Sequence, residues 1–394
     1  MTAAATPMEQ AYFDPDGCVL SDFTAQVERE LTPDQVPLAD KIEKNIPIYD
    51  MVALKAMLSA PEARRHLMAE WAQGLRYGAG VLVLQGAYQD VAPIDAASAV
   101  FDEIISQERQ ANGGGADHFA AAGSNDRVWN ALQKLCVASP DVFARYFGNS
   151  SIAAVCEAWL GPNYQMTAQI NLVRPGGAAQ QAHRDYHLGF QSAETSAQYP
   201  AHVHDLSPVL TLQGAVAHTD MPVESGPTKL LPFSQQYRAG YAAWRREDFR
   251  AYFEEHCVQL PLAKGDAVFF NPALFHAAGA NRSKGVQRMA NLLQVSSAFG
   301  RAMETVDRRG MSERLFPALT KLKREGAMTD ADQAAAIAAC AEGYSFPTNL
   351  DRDPPVGGLA PQTQAGLFHQ ALTEGWTSER FNDALAAQDL RRQA

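Results

Sequence analysis

Cysteine is sparse and unpatterned: Cys18, Cys136, Cys156, Cys257 and Cys340 are the only five. Their odd number, wide spacing and lack of a Cys-x-x-Cys exclude a disulfide framework or zinc ribbon and fit a reducing compartment. Basic charge is short as well. Lys and Arg number 33 against 44 Asp and Glu, a net charge of −11 that disfavours a nucleic-acid partner. No apolar run approaches bilayer length, so no membrane partner is expected. The opening Met-Thr-Ala-Ala-Ala-Thr-Pro has neither a basic nor a long apolar stretch, so no secretory leader is expected and the cytoplasm is the default compartment. Internal repeats and low-complexity tails are missing too.

What is present is ordinary globular material. Hydrophobic residues make up 46% and charged residues 20% of 394, enough to bury a large core. Residues 1–50 read as an irregular arm, with a turn at Asp14-Pro15-Asp16-Gly17 and breakers at Pro33, Pro37 and Pro47. Residues 51–164 read as a helical part. Its apolar periodicity runs over 51–76, broken near Pro61, then over 93–110, 128–136 and 140–160, with a short buried strand at Val81–Leu84. The triplet Gly113-Gly114-Gly115 lacks the Lys-Ser/Thr of a phosphate loop and reads as a flexible loop.

From 165 to 300 the period changes to two. Strand-like runs at 166–173, 208–218, 228–232, 256–262, 266–270 and 287–297 are separated by Gly and Pro turns, the pattern of an all-β barrel or sandwich. The polar stretch 186–207 reads as a long loop, a lid or binding loop. Helical patterns return over 301–394, with Thr329 as a helix cap. These C-terminal helices either cover the barrel or form a homo-oligomer contact. The four segments read as one integrated catalytic domain with a mainly β core and α additions.

Within the β region stands Gln181-Ala182-His183-Arg184-Asp185-Tyr186-His187. On a strand, His183 and Asp185 share a face. An imidazole and a carboxylate so placed form two arms of a 2-His-1-carboxylate site, the set that suits non-haem iron(II) oxygenases. Alone the motif is weak, arising by chance on the order of one half to one time in such a chain. A kinase catalytic loop, which also uses His-Arg-Asp, is excluded because its Asn, Val-Ala-Ile-Lys and Asp-Phe-Gly partners are missing. The better signal is Lys264-Gly265-Asp266-Ala267-Val268-Phe269-Phe270-Asn271-Pro272, which leads to His276 at the end of an apolar stretch. Arg288 then opens an apolar strand, a costly place for a guanidinium that meets no carboxylate. Arg282 competes with it as a carboxylate clamp.

Read together, these strings resemble the phytanoyl-CoA dioxygenase branch of the Fe(II)/2-oxoglutarate dioxygenases. The resemblance rests on Gln169-Ile170-Asn171-Leu172-Val173-Arg174-Pro175-Gly176, His183-Arg184-Asp185, and Asp220 followed by Gly226-Pro227. It continues through Lys264–Pro272 to His276 and Gly279-Ala280-Asn281-Arg282-Ser283 with Arg288. It implies a double-stranded β-helix of the jelly-roll and cupin kind, with the metal in its open mouth. It implies Fe(II) on His183, Asp185 and His276, and 2-oxoglutarate on Arg288, Asn171 and Gln169. O2 is consumed, succinate and CO2 are released, and an unactivated C–H bond of a small molecule is oxidised. Tyr186, His187, Phe190 and Gln213 are candidates to contact substrate or to support the ligands, and strand parity places Gln213 with Ala215 and Ala217, with His218 turned away. The chain departs from the family pattern at Ala278, Ser234-Gln235 and Gln287. It keeps Asp185, which favours hydroxylation or a related oxidation over halogenation. The alternative is a cupin-like metal- or ligand-binding protein without redox turnover.

Overall fold

Side-chain alternation decides which face of each strand is buried, and here it builds two sheets. The computed structural model describes residues 11–112 and 125–394. Its strands are β1 (Lys41–Glu43), β2 (Ile46–Asp50), β3 (Val81–Gln85), β4 (Asn125–Val128), β5 (Gln165–Val173), β6 (Thr211–Ala217), β7 (Lys229–Leu230), β8 (Ala267–Phe270), β9 (His276–Ala277) and β10 (Arg288–Ser296). Eight form a mixed sheet in the order β1-β2-β3-β8-β6-β10-β5-β4, and β7 pairs with β9 in a second. Isolated bridges widen the small sheet, with His183 paired to His276 on one side and Val258 to Leu230 on the other. The order β8-β6-β10-β5 against His183, β9, β7 and Val258 is a double-stranded β-helix, with helices before and after it along the chain.

The described residues fall into two compact units. The first holds 11–89, 125–126 and Asn171–Leu292. Its core shows period two plainly: Ile46 and Ile48, Val81 and Val83, Ala215 and Ala217, and Val268 and Phe270 bury together with Leu230, Leu262 and Leu274. A second cluster gathers Phe23, Phe249, Phe253, Phe275 and Ala277. Phe23 and Phe275 lie 4.9 Å apart by ring centroid. Because Phe275 and Ala277 are committed to this cluster, alternation turns His276 between them toward the other face. Each such aromatic contributes roughly 1.5–3 kcal/mol through burial.

The second unit holds 90–112, Arg127–Ile170 and Leu293–Ala394. Its C-terminal helices Arg308–Arg324, Gln364–Glu374 and Ser378–Arg392 meet through Phe316, Phe368 and Phe381, with Phe316 and Phe381 stacked at 4.3 Å. Thr329, Thr363 and Thr377 each cap a following helix by accepting a backbone N–H. Among the described residues no helix is long and apolar enough to cross a membrane.

Several segments differ from the sequence expectation. Within 1–50, read as irregular, β1, β2 and the helix Leu20–Val27 form. Pro47 is tolerated in β2 because it faces Ile42 of β1 and precedes the 48–50 stretch that pairs with β3. The expected strand over 256–262 reduces to single bridges at Val258 and Leu262, with the helix Glu247–His256 ahead of it and Pro261, which has no N–H to donate, inside it. The loop 186–207 contains two short helices, Ala193–Ala197 and Ala201–Leu206, the first capped by Ser192. The 140–160 helix splits into Pro140–Phe147 and Ser150–Leu160, because Asn149 caps the second. The Gly113–Gly115 loop lies outside the described residues.

On β6, a Cβ added at Gly214 would sit 2.5 Å from the Phe269 ring and 3.0 Å from Val268 O. Gly214→Ala is therefore expected to cost about 1–3 kcal/mol by overpacking, read as a lower urea midpoint at unchanged m-value.

Candidate metal centre

His183 and His276 lie far apart in the chain, and a reciprocal backbone pair brings them together. His183 N donates to His276 O at 3.0 Å and His276 N donates to His183 O at 3.2 Å. Two residues on, Asp185 N donates to Pro272 O at 3.2 Å. The ligand atoms of His183, Asp185 and His276 then all fall within 4.8 Å of one another, the one such cluster among the described residues.

The rings are held in a definite tautomer. His183 Nδ1 lies 2.8 Å from Gln181 O and His276 Nδ1 lies 2.8 Å from Leu274 O. A carbonyl can only accept, so each Nδ1 carries the proton and each Nε2 offers its lone pair. The Nε2 atoms point at the carboxylate: His183 Nε2 is 3.7 Å from Asp185 Oδ1, and His276 Nε2 is 3.4 Å from Asp185 Oδ2. Phe270 packs on the His276 ring at 4.7 Å. Burial lowers the pKa of His183, which keeps it neutral and able to ligate. Burial also works to raise the Asp185 pKa. The neighbouring His183 and His276 and the hydrogen bond from Gln213 outweigh it, so Asp185 is held well below the usual carboxylate range. Two imidazoles and one carboxylate on a common point are the donor set for a divalent iron centre. These residues fit the ion.

Gln213 of β6 reaches this site as parity required, its Nε2 donating to Asp185 Oδ2. Asn171 of β5 is buried, and its side-chain Oδ1 has no partner among the described residues. Arg288 is 6% exposed. Its Nη1 donates to Ser225 O at 3.0 Å and to Gly279 O at 3.4 Å, and among the described residues it has no carboxylate partner. Burial pushes its pKa down to about 10, so it stays charged at neutral pH.

Other expected site residues lie elsewhere. Arg282, the competing clamp candidate, is exposed. Gln169 belongs to the second unit, and its amide is engaged by Arg127 at 3.2 Å and by the Met303 sulfur at 3.6 Å. His187 does not share the ligand face by strand alternation, because the extended backbone ends at Tyr186, whose φ is 46°. His187 Nδ1 instead lies 3.4 Å from Ser207 Oγ. The Tyr186 ring is buried and touches His187 and Phe190, and Phe190 is 57% exposed. The departures from the family pattern have local tasks. Ser234 Oγ bonds Leu231 O and accepts from Phe275 N, while Gln235 donates to Gly78 O.

Sequence reasoning missed the cage behind the motif. Arg184, between two ligands, points away from them and is fully buried. Its guanidinium donates to Ser234 O and to Tyr237 O at 2.9 Å, and lies 5.2 Å and 5.1 Å from the Tyr241 and Phe275 rings. Tyr241 Oη donates to Asp185 O at 3.0 Å, tying the ligand backbone to the same cage. Alternation around His183 and Asp185 signals that Arg184 points inward. Nothing local signals Tyr241. The cage has room only because residue 240 is glycine: a Cβ there would lie 2.0 Å from Arg184 Cζ. Gly240→Ala is expected to cost about 1–3 kcal/mol and to lower Co(II) occupancy at limiting metal. Urea unfolding and a metal titration check both, and wild-type behaviour in both would mean that Arg184 can leave the cage without moving the ligands.

Comparison with known proteins agrees with this geometry. A family model described as phytanoyl-CoA dioxygenase (PhyH) matches residues 77–290. The dioxygenase andF of Emericella variicolor is 30% identical over 142 residues, 34% of this chain and 43% of that protein. The dioxygenase trt7 of Aspergillus terreus (strain NIH 2624 / FGSC A1156) is 28% identical over 128 residues, 32% of this chain and 39% of that protein. The chain thus spans less than half the length of these curated relatives. Among solved structures, the non-heme alpha ketoglutarate dependent epimerase SnoN from nogalamycin biosynthesis is 20% identical, covering 60% of this chain and 84% of its own, at a TM-score of 0.39. The carbocyclase SnoK from the same biosynthesis is 21% identical, covering 58% and 83%, at 0.42. The donor set and the family match together make iron and 2-oxoglutarate the cofactors. That match covers more than half of the 394 residues and contains all three ligands, and the chain belongs to the phytanoyl-CoA dioxygenase family.

Proposed function

We propose that this protein is an Fe(II)- and 2-oxoglutarate-dependent oxygenase that oxidises an unactivated C–H bond of a small molecule. The observation that carries the reading is Arg288, a buried guanidinium with only carbonyl partners among the described residues, whose Nη1 donates to the carbonyl of Gly279, three residues along the chain from His276. A buried cation without a counter-ion is costly, and a dicarboxylate co-substrate supplies the missing charge in a bidentate grip. When bound, iron and 2-oxoglutarate supply the oxidation of the C–H bond by O2, with release of succinate and CO2.

The chain's own residues do the rest. His183 and His276 present neutral Nε2 atoms because backbone carbonyls hold their Nδ1 protons. Asp185 supplies the negative charge, and Arg288 takes the far carboxylate of 2-oxoglutarate. Asn171, whose amide is committed to no protein partner among the described residues, is available to the same co-substrate. Tyr186, His187 and Phe190 follow Asp185 directly and are the candidates to position substrate. A cupin-like binder without redox turnover has no use for an unpaired Arg288.

Under anaerobic conditions, Fe(II) with 2-oxoglutarate should produce a weak visible charge-transfer band. A folded, iron-loaded sample without that band would sink the oxygenase reading. His183→Ala and Asp185→Ala should abolish it. Arg288→Ala should raise the 2-oxoglutarate concentration for half-saturation by about tenfold or more, as expected when a buried charge partner is truncated. Arg282→Ala, at an exposed position, should leave it unchanged. Succinate release across a panel of small molecules then identifies the substrate.

A further inference from the structure

A glutamine in a β-helix core is an expensive choice unless both ends of its amide are used. Gln213 is 3% exposed. It sits on the inner face of β6 opposite Phe270, in line with Ala215 and Ala217 of the apolar core. Its Nε2 donates to Asp185 Oδ2, whereas its Oε1 is buried without any partner among the described residues. The amide orientation follows from chemistry, because an ionised carboxylate can only accept and the donor end must face it. An unpaired buried carbonyl is costly, and an apolar side chain of similar size would avoid that cost. The position therefore serves its one bond, the bond to Asp185.

That bond distinguishes the two carboxylate oxygens. Each faces one imidazole, Oδ1 toward His183 Nε2 at 3.7 Å and Oδ2 toward His276 Nε2 at 3.4 Å, but Oδ2 alone carries a hydrogen-bond donor, the Gln213 amide. We propose that Gln213 is a positioning residue that holds Asp185 as a one-oxygen metal ligand, coordinating through Oδ1 with Oδ2 retained by the amide. The inference rests on the oxygenase reading for its purpose. A facial triad with a one-oxygen carboxylate leaves three coordination positions, two for 2-oxoglutarate and one for O2. A carboxylate that swung onto the metal through both oxygens would occupy one of them. Gln213 thus keeps a co-substrate position open by acting through Asp185.

The test uses Co(II), whose visible absorption reports coordination number without turnover. Gln213→Leu removes the donor at similar volume. Gln213→Glu keeps the shape but sets a carboxylate against Asp185, and serves as the second variant if the first does not fold. In folded protein loaded with Co(II) alone, the variants are expected to differ from wild type in band intensity and position. On adding 2-oxoglutarate, wild type should respond and the variants should need about tenfold more or greater, the usual scale for losing a partner that orients a ligand. Metal affinity in Gln213→Leu should fall less than that, because a second carboxylate oxygen replaces what the amide held. Co(II) spectra of folded variants identical to wild type would overturn the role of Gln213. The oxygenase reading fails separately, if wild type loaded with metal does not respond to 2-oxoglutarate while the Co(II) spectra still distinguish the variants.

Discussion

One backbone bridge carries the site. His183 and His276 exchange both of their main-chain hydrogen bonds, so two imidazoles distant in sequence are fixed across a ladder rather than on mobile loops. The entropy of closing so long a loop grows only slowly with its length, and the surrounding sheets supply the contacts that offset it. Once the bridge forms, Asp185 follows within two residues, and the carbonyls of Gln181 and Leu274 orient the rings. The apolar cluster behind β9 does the complementary work. By burying Phe275 and Ala277 it leaves His276 no choice of face.

Two buried arginines show how one residue type is used in opposite ways. Burial pushes both Arg184 and Arg288 down to about 10, and neither meets a carboxylate in the described chain. Arg184 is enclosed by carbonyls and aromatic faces, with Gly240 leaving it space, so its charge is spread over dipoles and ring quadrupoles. Its task is mechanical, since it ties the ligand segment to the 234–241 stretch. Arg288 has two carbonyls and no ring. The difference lies in what surrounds each guanidinium rather than in how deeply it is buried.

Much of this was legible in the chain. The triad could be read because His-x-Asp and the distal His follow strand alternation, and Gln213 because the parity of β6 carries it to the face of Ala215 and Ala217. Arg288 could be singled out against Arg282 only by its apolar strand, and it is the buried one of the two. Where reading failed, local pattern gave way to tertiary pairing. β2 is obscured by Pro47 and β1 by its three-residue length; β2 forms because β3 offers an edge, and β1 because β2 does. His187 misses the ligand face because Tyr186 turns into the left-handed region, which no periodicity reveals.

By itself, the sequence determined the family, the candidate triad of His183, Asp185 and His276 and the faces on which β6, β8 and β10 place their side chains, because these depend on residue type and period. Only the tertiary structure decided which neighbours each polar group would meet. It spent the Gln169 amide on Arg127 and Met303, left Asn171 Oδ1 and Gln213 Oε1 without partners among the described residues, and closed a cage of distant residues around Arg184. Hydrogen bonds act over about 3 Å, and residues brought that close from opposite ends of a β-helix leave no trace in local order.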